Sequence, residues 1–222
     1  MADIFHEVDE EVRRERLQKL WERYSLYIIA LAVLVVAGIG AWRAYDWWQG
    51  KQAAAAGAKF EAALALSEQG KHAEAEAAFD DLATTAPSGY RVLARFRAAA
   101  ALAQNKPAEA VKAYDQIAAD GSLSQALQDV AALRAGMLLV DSAPLAEMKK
   151  RLDPIAEPGR PFRASAREML ALSAWHNRDL KSARHYIDMI AQDAETPPGA
   201  RARAEVLSAL IAAGDNAGDK KS

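Results

Sequence analysis

Cysteine is absent from the 222 residues, which excludes disulfides, thiolate metal sites, a thiol nucleophile and lipidation through a cysteine. Proline and glycine are sparse, at 8 and 12, and runs rich in Val, Ile or Thr are almost confined to Leu26–Ile39. Strands have little to form from, whereas alanine, the strongest helix former, dominates. Neither charge is in large excess: the formal net charge is −2, with seven acids against five bases in residues 1–23 and twenty-two of each in residues 49–222. A nucleic-acid surface needs a basic excess gathered on one face, so no nucleic-acid partner is expected. Catalytic signatures are missing as well, with no Gly-rich phosphate loop, GxSxG or HExxH. The histidines His6, His72, His176 and His185 include no pair at the three- or four-residue spacing that puts two ligands on one helical face. No enzymatic activity, cofactor or metal is expected.

What the chain does have is YSLYIIALAVLVVAGIGAWRAYDWW, Tyr24–Trp48. Between Arg23 and Arg43 lie nineteen residues without a charge, which as a helix reach about 28 Å, close to the hydrocarbon thickness of a bilayer. A signal peptide has a short basic lead and a shorter apolar core. Here the lead is long, mixed in charge and acidic on balance, so an uncleaved anchor in contact with membrane lipid is expected. Tyr24 and Tyr27 at one end and Trp42, Tyr45, Trp47 and Trp48 at the other supply the aromatic belts found at headgroup level. Arg13, Arg14, Arg16, Lys19 and Arg23 outnumber Arg43, Lys51 and Lys59 across the span, which orients the N-terminus to the cytoplasm. Within the span, Ala37 with Ala41 and Gly40 with Ala44 form small-xxx-small pairs that let another helix approach closely. Before it, Ile4, Phe5, Val8 and Val12 share one helical spacing. This segment reads equally as a helix on the membrane surface or a partner, and as a charged flank that serves orientation alone.

Beyond the span the chain repeats. GKHAEAEAAFDDLA from Gly70 returns as NKPAEAVKAYDQIA from Asn105 and as RDLKSARHYIDMIA from Arg178, and RLDPIA, Arg151–Ala156, is a degenerate copy. Each copy predicts two helices. In the first they run from about Lys59 to Gln69 and from His72 to Thr85, with Gly70 at the turn and Pro87 as the stop. In the second, Arg91–Gln104 precedes a helix opened by Pro107, and Pro144 opens its counterpart in the third. Ala75, Ala110 and Ala183 are small where helices approach closely, and Phe79, Tyr114 and Ile187, one turn later, fill the space between neighbours. Such a hairpin cannot bury its apolar face alone, so the hairpins stack. A helix from Gly199 to Ala213 caps them.

With Gly70, Ala75, Phe79 and Pro87 in place, GKHAEAEAAFDDLATTAP resembles the second helix of a tetratricopeptide repeat, although the first helices show no clear counterpart of that motif's large aromatic and glycine. The expected fold class is all-α: a single N-terminal transmembrane helix, then a short tetratricopeptide-like α-solenoid of about four hairpins plus a capping helix. The expected parts are a charged amphipathic cytoplasmic segment, 1–23; the anchor, 24–48; the repeat domain, 49–213; and a disordered tail, 214–222. This arrangement over essentially the full length resembles the YfgM-like family, ancillary subunits of the SecYEG translocon. The resemblance implies a bacterial inner-membrane protein with its repeat domain in the periplasm, partnered by SecYEG and a membrane-anchored periplasmic chaperone, acting on exported polypeptides. The alternative is a structural scaffold for an envelope-assembly or cell-division complex with one fixed partner.

Charge differs by helix. Arg91, Arg95 and Arg97 lie on a first helix without an acid, and Arg160, Arg163 and Arg167 face Glu168 alone. In stacked hairpins of this class the first helices line the concave face. One reading has Arg91, Arg95, Arg134, Arg163 and Arg167, with Phe96 or Tyr90 as apolar contact, engaging acidic or extended peptides. The other makes them a solvated face that keeps an Ala-rich array soluble.

Overall fold

The computed structural model describes the backbone of residues 3–219 and the side chains of Trp21 and of residues 23–212. Among the described residues there are nine α-helices and no strand: α1 (Asp3–Glu68), α2 (His72–Thr85), α3 (Ser88–Asn105), α4 (Pro107–Ala118), α5 (Gln125–Leu139), α6 (Leu145–Ala156), α7 (Arg163–His176), α8 (Leu180–Gln192) and α9 (Pro198–Asp219). The chain divides into two compact units, residues 1–55 and 56–222. Residues 49–55, read from the sequence as the start of the repeat domain, thus group with the first unit. The helix expected to open at Lys59 is the end of α1, because nothing between Trp48 and Lys59 breaks it except single glycines at 50 and 57.

In the first unit α1 carries the one stretch long and apolar enough to cross a membrane among the described residues, with a mean hydropathy of 2.3 over its best 18-residue window and none of that window buried. Large apolar side chains cover it all round, as a helix that faces lipid requires. Its ends pair rings with cations: the Arg23 guanidinium lies 5.8 Å from the Tyr24 ring centroid, and Lys51 Nζ lies 4.1 Å from that of Trp47. Ala37, Gly40, Ala41 and Ala44 are all exposed, and a methyl group on Gly40 would meet nothing within 4 Å. The amphipathic pattern of Ile4, Phe5, Val8 and Val12 falls outside the described side chains.

In the second unit the last turns of α1 share a core with α2; α3 and α4, α5 and α6, and α7 and α8 form further hairpins, four in all, and α9 packs on α7 and α8. The turns follow from local chemistry. Gly70, at φ +75°, takes a left-handed conformation that side chains resist. Arg178 takes the same region at φ 61° in the matching turn of the fourth hairpin. Pro87 stops α2 by forcing Ala86 into extended backbone. Pro107 lies in the first turn of α4, where no N–H is needed, while Pro144 stands one residue before α6. At α8, Asp179 caps by accepting from the Ser182 N–H at 3.0 Å.

The core lies in three patches. The first gathers Ala63, Ala75, Phe79, Leu82, Ala94 and Ala98, the second Ala99, Tyr114, Ile117, Ala131 and Ala135, and the third and largest is built around Met148, Leu152, Leu170, Ile190, Leu207 and Ile211. Ala75, Ala110 and Ala183 are fully buried, and Phe79, Tyr114 and Ile187 nearly so. The alanines bring backbones close and the large side chains fill what remains. Phe79 meets Phe60 edge-on at 5.3 Å between centroids, and Tyr114 meets Phe96 at 6.2 Å. Helix α9 continues to Asp219, through most of the stretch expected as a tail, 214–222, whose side chains are outside the described ones.

Candidate protein-interaction face

The arginines expected to form one binding groove divide in two. Arg163 and Arg167 belong to the interior of the fourth hairpin, which corrects their assignment to an open groove. Arg167 is 3% exposed; it donates to the carbonyls of Ala156 at 2.8 Å and Met189 at 3.2 Å and to Asp193 Oδ2 at 2.8 Å. Arg163 grips the same carboxylate with two nitrogens, at 2.5 and 3.0 Å, and reaches Glu195 at 2.6 Å. A buried guanidinium is stable only when paired and hydrogen-bonded, so the residue after α8 has to be an acid here. The Arg163 guanidinium holds the Asp193 carboxyl well below the usual carboxylate range, although burial opposes it. Arg95, one-third exposed, is likewise occupied, lying 2.5 Å from Asp120 Oδ2. Hydrogen bonds from the Ser122 hydroxyl and from Arg95 lower the Asp120 carboxyl to about 2.

Asp120 and Asp193 escaped the sequence reading, although they stand at the same place in two copies of the repeat, just past the second helix. The aromatic contacts are also corrected. Tyr90 packs on the first core patch, 5.9 Å from Phe60, where a methyl group at Gly57 would meet its hydroxyl at 2.9 Å. Phe96 is half-buried against Tyr114.

Two clefts lie at the ends of these hairpins. One, of about 400 Å³, is lined by Arg163, Arg167, Asp193 and Glu195. The other, of about 330 Å³, is lined by Asp115, Asp129, Arg151 and Arg160, joined as the ion pairs Arg151–Asp115 and Arg160–Asp129. Asp115 is engaged in one of these pairs, whereas Asp80 and Asp188, which stand at the same position in the first and fourth copies of the repeat, are exposed. Asp193, held ionised, has no proton to give at neutral pH. No group of three His, Asp or Glu side chains converges among the described residues. These clefts are braces of the fold.

What stays open is a stripe on the first helices. Among the described residues of the second unit, every exposed large apolar side chain lies on α3, α5, α7 or α9: Leu93, Met137, Leu172, Trp175, Val206 and Leu210, from 36% to 62% exposed. The second helices α2, α4, α6 and α8 expose none. Helical spacing places two of them beside an arginine. Leu93 is four residues before Arg97, and Met137 is three after Arg134. Arg203 of α9 reaches Glu168 of α7 at 2.7 Å. From that ion pair Leu172 and Trp175 follow at four and seven residues on α7, and Val206 and Leu210 at three and seven on α9. Burial pushes the Tyr114 phenol up while the charges of Arg134 and Arg97 pull it partly back. Neither has an ion-pair partner among the described residues. Arg91 is exposed too, in the first turn of α3 and off the Leu93 stripe.

Comparison with known proteins matches residues 18–170 to the tetratricopeptide repeat-like domain. The matched region takes in the apolar span and ends within α7, leaving α8 and α9 beyond it. No curated protein and no solved structure matches the chain. With well over half its length matched and its hairpins stacked around small and aromatic repeat positions, the chain belongs to the tetratricopeptide repeat-like domain family, whose fold serves as a protein-interaction module.

Proposed function

We propose that the chain is a single-pass protein of the bacterial inner membrane, with its N-terminus in the cytoplasm and its repeat domain in the periplasm. There it binds exported polypeptides beside the SecYEG translocon, together with a membrane-anchored periplasmic chaperone. The observation that carries this reading is the stripe of exposed apolar side chains on α3, α5, α7 and α9. An exposed apolar series of this kind, rimmed by charge, suits apolar segments of an incompletely folded chain. The larger number of Arg and Lys before the span than after it supports the orientation, and the resemblance to the YfgM-like family supports the partners. The anchor raises the local concentration of the stripe where polypeptides emerge, so contacts that are weak singly become useful.

The test is site-specific photocrosslinking from positions 137 and 175 in cells carrying an arrested secretory chain, with protease accessibility to establish sidedness. Adducts with the arrested chain and copurification with SecYEG in mild detergent are the expected outcome. Crosslinks to one stoichiometric folded partner only would replace this reading with a fixed scaffold.

A further inference from the structure

We infer that α9 is the seam of a homodimer, packed antiparallel against α9 of a second copy of this chain. Helix α9 is apolar on two opposite sides. One side, Ala204, Leu207 and Ile211, belongs to the third core patch. At about 100° per residue the opposite side is Ala202, Val206 and Ala209, with Leu210 beside them. All four are exposed, Val206 at 62%. Stacked hairpins stay soluble through a polar outer face on the elements that close the array. Away from their buried stripes α4 exposes Lys112, α6 Lys150, and α8 Lys181 and Asp188. Helix α9 presents no charge on the corresponding side.

That side is complementary to itself. The steps from 202 to 206 to 209 are four residues and then three, the spacing of a seam between two helices. About a two-fold axis crossing between residues 207 and 208, Val206 of each copy meets Ala209 of the other, so a large side chain meets a small one twice. The same axis sets Glu205 beside Ala212 and Leu210 beside Arg203, whose charge Glu168 already holds, so no like charges face each other. A standard interface takes about 800 Å² and roughly 20–30 residues from each partner, so the ten or so residues along this side of α9 supply about 300–400 Å². An area of that size makes a weak pair in free solution. Two copies anchored in one membrane meet at a raised local concentration, which makes a weak pair sufficient. The seam takes Val206 and Leu210 and leaves Leu93, Met137, Leu172 and Trp175 to exported polypeptides, so it goes beyond that reading and does not rest on it.

The chain has no cysteine, so single introduced cysteines report the geometry without background. Full chain carrying Val206→Cys, mixed with full chain carrying Ala209→Cys in nanodiscs that hold two copies, should form a disulfide-linked dimer under mild oxidation. Ala202→Cys alone should form none, because the two-fold axis sets its two copies about 16 Å apart along the helices. Efficient linking of Ala202→Cys to itself would mean a parallel pair and overturn the proposal, as would the absence of a link between 206 and 209. In micelles, Val206→Asp should raise the dimer dissociation constant about tenfold or more by analytical ultracentrifugation. Circular dichroism melts matching the parent chain confirm that this variant is folded. A dimer that survives Val206→Asp but is lost in Gly40→Ile would place the pairing in the span and overturn the α9 seam. Photocrosslinking from position 210 in cells provides the last arm. Adducts between two copies support the seam, whereas adducts with an arrested secretory chain would return α9 to the polypeptide stripe and overturn the dimer. The cysteine and ultracentrifugation arms use the purified chain without any client, so their failure leaves the polypeptide reading standing.

Discussion

Replacing Phe79 by alanine should damage one part of the array and spare the rest. Phe79 is 1% exposed, at the centre of the first core patch and edge-on to Phe60. Truncating a buried phenylalanine costs about 3–5 kcal/mol, of which the lost ring pair contributes roughly 1 kcal/mol. For a unit of this size that lowers the melting temperature of the affected region by about 10 °C. In a stacked array each hairpin touches mainly its neighbours, so the loss should stay local. Hydrogen exchange of Phe79→Ala in micelles should rise in α2 and in the part of α3 up to Ala98, whose Ala94 and Ala98 share the patch, while α7, α8 and α9 keep the protection of the parent chain. Urea unfolding followed by circular dichroism should show an early transition. A loss below about 1.5 kcal/mol, or exchange rising evenly from α2 to α9, would refute the division of the core into patches.

Asp193→Asn should destabilise the fourth hairpin by about 3 kcal/mol, because it strands the buried Arg167 guanidinium without its counter-charge. The companion variant Arg167→Met/Asp193→Asn should recover part of that loss in thermal melts, and if the double variant is worse than either single one the pairing argument fails. The Asp120 carboxyl should titrate near pH 2 by NMR, and Ser122→Ala should raise that value. Since its folded value lies below the unfolded one, its contribution to stability is present above about pH 4 and is lost as the pH falls towards 2; a titration near pH 4 in the parent chain would contradict it.

The second helices were legible because their information is local. A small residue, a large one a turn later and a proline at the end state both the helix and the face it buries, as at Ala75, Phe79 and Pro87. The first helices were not, since an alanine-rich segment gives little contrast between buried and open faces. Tyr90 and Phe96 therefore read as open contacts, yet Tyr90 packs on the first core patch and Phe96 on Tyr114. The arginines failed for a different reason. Whether Arg95 or Arg167 is free depends on an acid some 25 residues away, and the regular placement of Asp120 and Asp193 was a signal present in the chain but not its pairing with helices of differing register. The positive φ of Arg178 left no mark, because the turn glycine of the first repeat is simply not retained there.

The separation of the core into patches also sets how the repeat unit responds to load. A fold with one continuous core resists pulling until it fails as a whole, whereas here each patch shears on its own, so tension along the backbone draws hairpins out one after another. Stepwise lengthening under load is thus the expected response of the repeat unit.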